Sequence, residues 1–195
     1  VMPVITRESL LSLESYSKQR KAWKEKIIPH KKARTLHVGN HVTLIFEDEF
    51  TIRYQIQEML RIEKTFEEEG ILDELEAYGP LVPDGSNFKA TMMIEYGDPE
   101  LRAQQLRLLK GIEDVTWVRV DGFDKVFAIA DEDLERENAE KTSAVHFLRF
   151  ELSPAMCAAL KAGAALGVGI DHAHYSHAVD EVAPQTQAAL VKDLS

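Results

Sequence analysis

The alternation of apolar and polar positions is sharpest over residues 50–66, FTIRYQIQEMLRIEKTF. At about 100° per residue, Ile52, Ile56, Met59, Leu60, Ile62 and Phe66 fall within one arc of roughly 160°, which predicts an amphipathic helix. Glu63 lies near the middle of that arc with Gln55 and Glu67 inside it. Arg53, Tyr54, Gln57, Glu58, Arg61, Thr65 and Glu68 take the other side. The buried face is therefore expected to carry a carboxylate, which must pair with a core Arg or Lys, bind a metal or hold a proton, because an unpaired buried charge is costly. Beyond Gly70 the stripe moves to Ile71, Leu72 and Leu75, rotated by about 120°, so a break or kink is expected at the glycine.

The remaining pattern alternates between helical and extended segments. Thr6 or Ser9 can cap a first helix whose apolar positions Leu10, Leu13, Tyr16, Trp23 and Ile27 run to Pro29, giving a basic helix over about residues 7–30. Residues 34–38 and 41–47 alternate like strands across Gly39-Asn40, a two-residue hairpin signal that sets Val38 opposite His41 and His37 opposite Val42. Residues 78–87 read as a loop and residues 89–96 as a half-buried strand, and Asp98-Pro99 opens a helix that stops at Gly111. Strands 115–120 and 123–130 flank Asp121-Gly122, with Arg119 opposite Asp124 and Trp117 opposite Val126. Asp131 can cap a polar helix to about Lys141, and a strand over residues 144–152 places His146 on the face of Leu148, Phe150 and Leu152. Ser153-Pro154 begins an Ala-rich helix ending near Gly163, residues 166–170 can return as a strand, and Pro184 opens a terminal helix to about Leu194. Hairpins interspersed with helices predict a single α+β domain over residues 1–195, an antiparallel or mixed sheet with helices packed on it.

Composition narrows the class. A chain of 195 residues, 45% hydrophobic and 29% charged, can bury a sizeable core and is not of disordered type. The net charge of −10 argues against general nucleic-acid binding, although Lys18, Arg20, Lys21, Lys24, Lys26, Lys31, Lys32 and Arg34 against the lone acid Glu25 give a local +7 and leave −17 elsewhere. The single cysteine, Cys157, excludes an intramolecular disulfide and suits a cytoplasmic setting. The opening residues lack the pattern of a signal peptide, and the longest apolar run, residues 164–170, is too short for a membrane span. Neither a GxSxG elbow nor a phosphate-binding GxxxxGK[ST] loop occurs, and Gly167-Val168-Gly169 follows a helix instead of opening one.

Chemistry-bearing candidates concentrate near the end. DHAHYSH, residues 171–177, holds three histidines; if extended, His172 and His174 share a face and can reach one divalent metal, with Glu63 or Glu47 supplying a third ligand. His37 and His41 point to opposite faces in the expected hairpin and should not share a metal. His146 reads as a core histidine satisfied by hydrogen bonds, and Cys157 as a small core hydrophobe.

FEDEFTIRYQIQEMLRIE (residues 46–63), ELEAYGPLVP (74–83), ATMMIE (90–95) and GIDHAHY (169–175) together resemble a bacterial family of unknown function, over nearly the whole chain. Members of that family are often encoded beside rubrerythrin and an iron-sulfur oxidoreductase, so the resemblance implies a link to redox or peroxide metabolism. It singles out Thr51, Gln55, Gln57, Glu58, Arg61, Glu63, Asp171, His172 and Tyr175 as the matching polar positions, and leaves His174 and His177 outside the shared segment. Two readings follow. One is an accessory protein docking an acidic redox partner through its basic helix or the Arg/Gln face of the central helix, with self-association left open. The other is an enzyme or metal- or ligand-binding protein with a polar cleft around Glu63 and His172, served by Arg61 or Arg53 and Tyr175.

Overall fold

The computed structural model describes residues 5–133 and 135–195, so the expectation about the opening residues 1–4 and the place of Leu134 lie outside it. Helix α1 (Leu13–Ala33) begins where the Ser12 hydroxyl accepts the Ser15 N–H at 3.2 Å, later than the sequence suggests, and runs through Pro29, which faces solvent. Thr6 and Ser9 instead cap a single 3-10 turn, Arg7–Ser9. Strands β1 (Thr35–Val38) and β2 (Val42–Glu47) form a hairpin, then come α2 (Glu49–Ile62), α3 (Glu68–Tyr78), β3 (Asn87–Ile94) and α4 (Pro99–Leu108). The second half contains β4 (Thr116–Val120), β5 (Val126–Phe127), β6 (Ile129–Ala130), β7 (Val145–Glu151), α5 (Pro154–Lys161), β8 (Leu166–His172), β9 (Tyr175–Val179) and α6 (Pro184–Val191).

The strands make two antiparallel sheets, ordered β1-β2-β3-β7-β6 and β5-β4-β8-β9. The expected α+β class holds, with two sheets in place of one. The chain crosses between them at Ala128, which splits the strand expected over residues 123–130 into β5 and β6. Both early hairpins are longer by one residue than their sequence signals indicate: Val38 pairs with Val42 and His37 with Thr43, while Trp117 pairs with Phe127 and Val118 with Val126. In each, a glycine in left-handed backbone, Gly39 at φ 71° and Gly122 at φ 89°, lies in the turn, which takes residues 39–41 in the first and 121–125 in the second, and the pairing shifts accordingly. The polar helix expected over residues 131–141 is not formed among the described residues; a lone bridge between Glu137 and Thr142 stands there.

Alternating residues of β2, β3, β7, β4 and β8, including Leu44, Phe46, Phe88, Met92, Phe150 and Val168, build the larger core with side chains from α4, α5 and α6. A smaller core joins Ile52, Ile56 and Leu60 of α2 to Ile71 of α3 and to Ile5 and Leu10. Arg34, at the end of α1, ties the termini together: its guanidinium donates to the carbonyls of Phe46 (2.7 Å), Ala189 (3.1 Å) and Glu47 (3.3 Å) and pairs with the buried Asp193 carboxylate. The sheets meet where the Tyr175 hydroxyl donates to the Val38 carbonyl and accepts the His41 N–H at 3.1 Å. A Cβ on Gly39 would lie 2.4 Å from that hydroxyl, so the hairpin tip needs glycine for close approach as well as for its turn.

The central helix ends sooner than its stripe implies. The Thr65 N–H bonds to the Leu60 carbonyl and the Lys64 N–H to Arg61, with Lys64 at φ 53°: a Schellman stop carried by lysine where glycine is usual. The break therefore falls at residues 63–67, and Gly70 sits inside α3. At this helix end Ile62 (60% exposed), Glu63 and Phe66 (74% exposed) face solvent, so the expectation of an inward carboxylate at Glu63 is corrected. Among the described residues no helix is long and apolar enough to cross a membrane.

Candidate functional site

The polar positions of α2 act within the fold. Asp48 caps the helix by accepting the Thr51 N–H at 2.9 Å, while the Thr51 hydroxyl accepts the Asp48 N–H at 2.9 Å. Gln57, fully buried, accepts the Leu11 N–H at 2.7 Å and donates to the Leu11 carbonyl at 3.3 Å. Burial raises the Tyr78 pKa, and the side chain of Gln55 opposes that rise. Glu58 accepts from the Tyr16 hydroxyl at 2.7 Å, from Arg20 at 2.9 and 3.0 Å, and from Arg61 at 3.3 Å. The Arg20 hydrogen bonds, with those of Tyr16 and Arg61, hold the Glu58 carboxyl at about 2, well below the usual carboxylate value.

The C-terminal candidates are engaged likewise. Asp171 accepts the Trp117 indole N–H at 2.9 Å and the Lys125 ammonium at 2.8 Å, and the Lys125 hydrogen bond leads in lowering its pKa. His172 Nε2 bonds to the Lys110 carbonyl at 2.8 Å, so it carries the proton; Nδ1 then accepts the His174 N–H at 3.0 Å. Both ring nitrogens of His172 are engaged in hydrogen bonds, and the turn between β8 and β9 leaves His174 exposed with its ring 5.8 Å away. Glu63, at the end of α2, does not join them. Tyr175 is the sheet-to-sheet tie already described.

A different group converges. Glu113, Asp131 and His146 each present one nitrogen or oxygen, and these atoms lie within 4.8 Å of one another, the one such set of three or more among the described residues. Each comes from a different part of the chain. Gly111, in left-handed backbone at φ 82°, ends the α4 segment and leads into a 3-10 turn, Ile112–Val115, that buries Glu113. Asp131 follows β6 with φ 51°, a conformation uncommon for a residue other than glycine, and is held there by its own N–H to the Phe147 carbonyl (2.8 Å) and its Oδ1 on the Phe147 N–H (2.9 Å). His146 enters from β7 on the core face and is fully buried.

The hydrogen bonds fix the protonation of the imidazole. Nδ1 lies 2.5 Å from Asp131 Oδ2, and Nε2 lies 3.0 Å from the Ser143 carbonyl, which can only accept, so both nitrogens carry protons. The Thr142 hydroxyl is 2.8 Å from Nε2 and donates to Glu113 Oε2 at 3.5 Å; Nε2 itself stands 3.7 Å from that oxygen. Burial alone would pull the His146 pKa down, but the bond to Asp131 and the charges of Asp131 and Glu113 outweigh it and leave the value raised. Burial pushes the Glu113 carboxyl up to about 7, with Glu137 adding to the rise and His146 opposing it. Burial likewise raises Asp114. Glu113, Asp114 and Asp131, but not the fully buried His146, line an open cleft of about 480 Å³ together with Glu132, Glu135, Glu137 and Arg136, which pairs with Asp131 at 3.2 Å. Such an arrangement suits a cation or a migrating proton.

Sequence reasoning placed His146 among core residues and read Asp131 as a helix cap; Glu113 drew no notice. The available signal was a histidine on an otherwise aliphatic strand face, a position that requires polar partners from elsewhere in the chain.

Two antiparallel sheets, flanking helices and a buried histidine between two carboxylates define the class as an α+β protein with an internal polar centre. Residues 4–194 match the family described as "Protein of unknown function (DUF3501)", and the chain belongs to that family. A crystal structure of a "novel protein of unknown function" from Burkholderia pseudomallei K96243 is similar, with 57% identity, a TM-score of 0.95, and coverage of 99% of this chain and 100% of that one. No curated protein matches the sequence.

Proposed function

We propose that the protein binds a single divalent metal ion through Glu113, Asp131 and His146. The observation that carries this reading is the convergence of one imidazole and two carboxylates within 4.8 Å of one another, the two carboxylates also lining an acidic cleft. A mixed nitrogen and oxygen set of this kind suits Mn, Fe or Zn in the divalent state. A cation there would replace the proton on His146 Nε2 and offset the crowding of Glu113 against Glu137.

Elemental analysis of protein purified without a His tag, followed by calorimetric titration with Mn, Fe and Zn salts under anaerobic conditions, tests the reading. One equivalent of metal is expected, together with a rise in Tm on loading, and both are lost in E113Q and H146Q. Equal binding by wild type and the two variants, or no binding and no Tm response in wild type, overturns it.

A second reading, an accessory protein that docks an acidic partner of a redox pathway, is favoured by the exposed face of α1. Lys18, Lys21 and Lys32 project there beside Ile28, which is 65% exposed. The Arg/Gln face of α2 does not contribute, since Glu58, Gln57 and Arg61 are engaged within the fold. Complex formation with an acidic redox protein should weaken with salt and with K18E/K21E/K32E; insensitivity to both counts against this reading.

A further inference from the structure

A second cleft, of about 540 Å³, lies between the end of α3 and the outer faces of β3 and β7. Its walls are mainly apolar: Ala77, Pro80 and Leu81 on one side, Phe147 and Leu148 on the other. Lys89 of β3 reaches into it half-buried, its amine donating to the Pro80 carbonyl at 2.5 Å. Lys89 has two cross-strand neighbours: Glu47 on β2, whose carboxylate accepts the Thr91 hydroxyl at 2.7 Å, and Arg149 on β7, whose guanidinium is held by Glu132 at 2.7 and 2.9 Å. Lys89 thus has apolar walls, a cation on one flanking strand and a carboxylate on the other, and among the described residues no carboxylate bonds to its amine.

We infer that Lys89 is a nucleophilic amine that condenses with a neutral aldehyde or ketone bearing an apolar chain. The nitrogen lone pair attacks the carbonyl carbon, the carbon–oxygen π pair moves to oxygen and takes up a proton, and loss of water leaves a protonated imine on Nζ. No oxidant or reductant enters. Desolvation in an apolar pocket and a neighbouring cation are the two ways a lysine is activated for this chemistry. In agreement, burial pulls the Lys89 pKa down and Arg149 adds to the fall, against the opposing charges of Asp84, Glu132 and Glu151. The walls set the apolar preference. The charge requirement comes from Asp73 and Glu76 in the lining, which repel an anionic carbonyl compound such as a 2-oxo acid, while Asp133 beside them is paired with Arg136 at 2.6 Å. Glu132 borders both this cleft and the one over Glu113, but the inference does not depend on the metal reading.

The test uses the intact wild-type chain, limiting n-hexanal and cyanoborohydride to trap the imine as a secondary amine, with peptide mapping by mass spectrometry over time. Lys18 and Lys21, both exposed on α1, serve as internal references. Lys89 is expected to be alkylated severalfold faster than either, and to lose that advantage when glyoxylate replaces hexanal. A Lys89 rate no greater than those of Lys18 and Lys21 overturns the inference; an equal advantage with glyoxylate overturns the assignment to neutral compounds.

Discussion

Replacing Glu58 by Gln removes the charge on which Tyr16, Arg20 and Arg61 converge while keeping nearly the same shape. The carboxylate is 13% exposed and the Tyr16 side chain is fully buried, so the group lies under the α1–α2 contact and is not a loose surface pair. Its folded pKa of about 2 stands below the ordinary 4.5, chiefly through the Arg20 hydrogen bond. At about 1.4 kcal/mol per unit, and discounted by roughly half because Arg20 and Arg61 are reached by solvent, the ionised form stabilises the fold by about 1.5–2 kcal/mol. A depressed carboxyl pKa contributes fully above the unfolded value and is lost as pH falls from about 4.5 to about 2. Urea unfolding of wild type and E58Q should therefore differ by about 1.5–2 kcal/mol at pH 7, and the difference should shrink steadily below about pH 4.5. Equal stabilities at pH 7, or a gap that stays constant down to pH 3, would refute the reasoning.

Two further substitutions probe other joints. R34M strands the buried Asp193 carboxylate and three carbonyls, which should cost about 3–5 kcal/mol and lower Tm by roughly 10 °C; an unchanged melting curve would show that the tie is idle. G169A places a Cβ 2.3 Å from the Trp117 ring, so the indole must shift from its bond to Asp171, with a loss of about 1–3 kcal/mol and altered tryptophan emission; native-like fluorescence would contradict it.

The elements readable from sequence are those whose cause is local. Asp98 and Ser153 cap α4 and α5, each followed by proline, and the alternation of Ala90, Met92, Ile94 and Tyr96 locates β3, which starts and ends two residues earlier than the expected 89–96. Errors arise where the cause is distant or atypical. Ile62 and Phe66 continue the stripe of α2 on a helical wheel, but the chain turns at Lys64, and lysine gives no warning of left-handed backbone. Gln57 falls on the polar side of the wheel yet is buried, because the Leu11 peptide, 46 residues earlier, satisfies its amide. The candidate site was concealed in the same way. Glu113, Asp131 and His146 come from a 3-10 turn, a strand end and a strand interior, and only the return of β7 beside β6 brings them together.

The phenol of Tyr175 makes the two halves of the molecule report on each other. The His41 amide can exchange with deuterium only when that oxygen withdraws, so its protection measures opening of the C-terminal hairpin 134 residues away in sequence, not fraying of its own turn. Y175F would uncouple the pair, and the His41 amide should then exchange at the rate of an ordinary exposed loop.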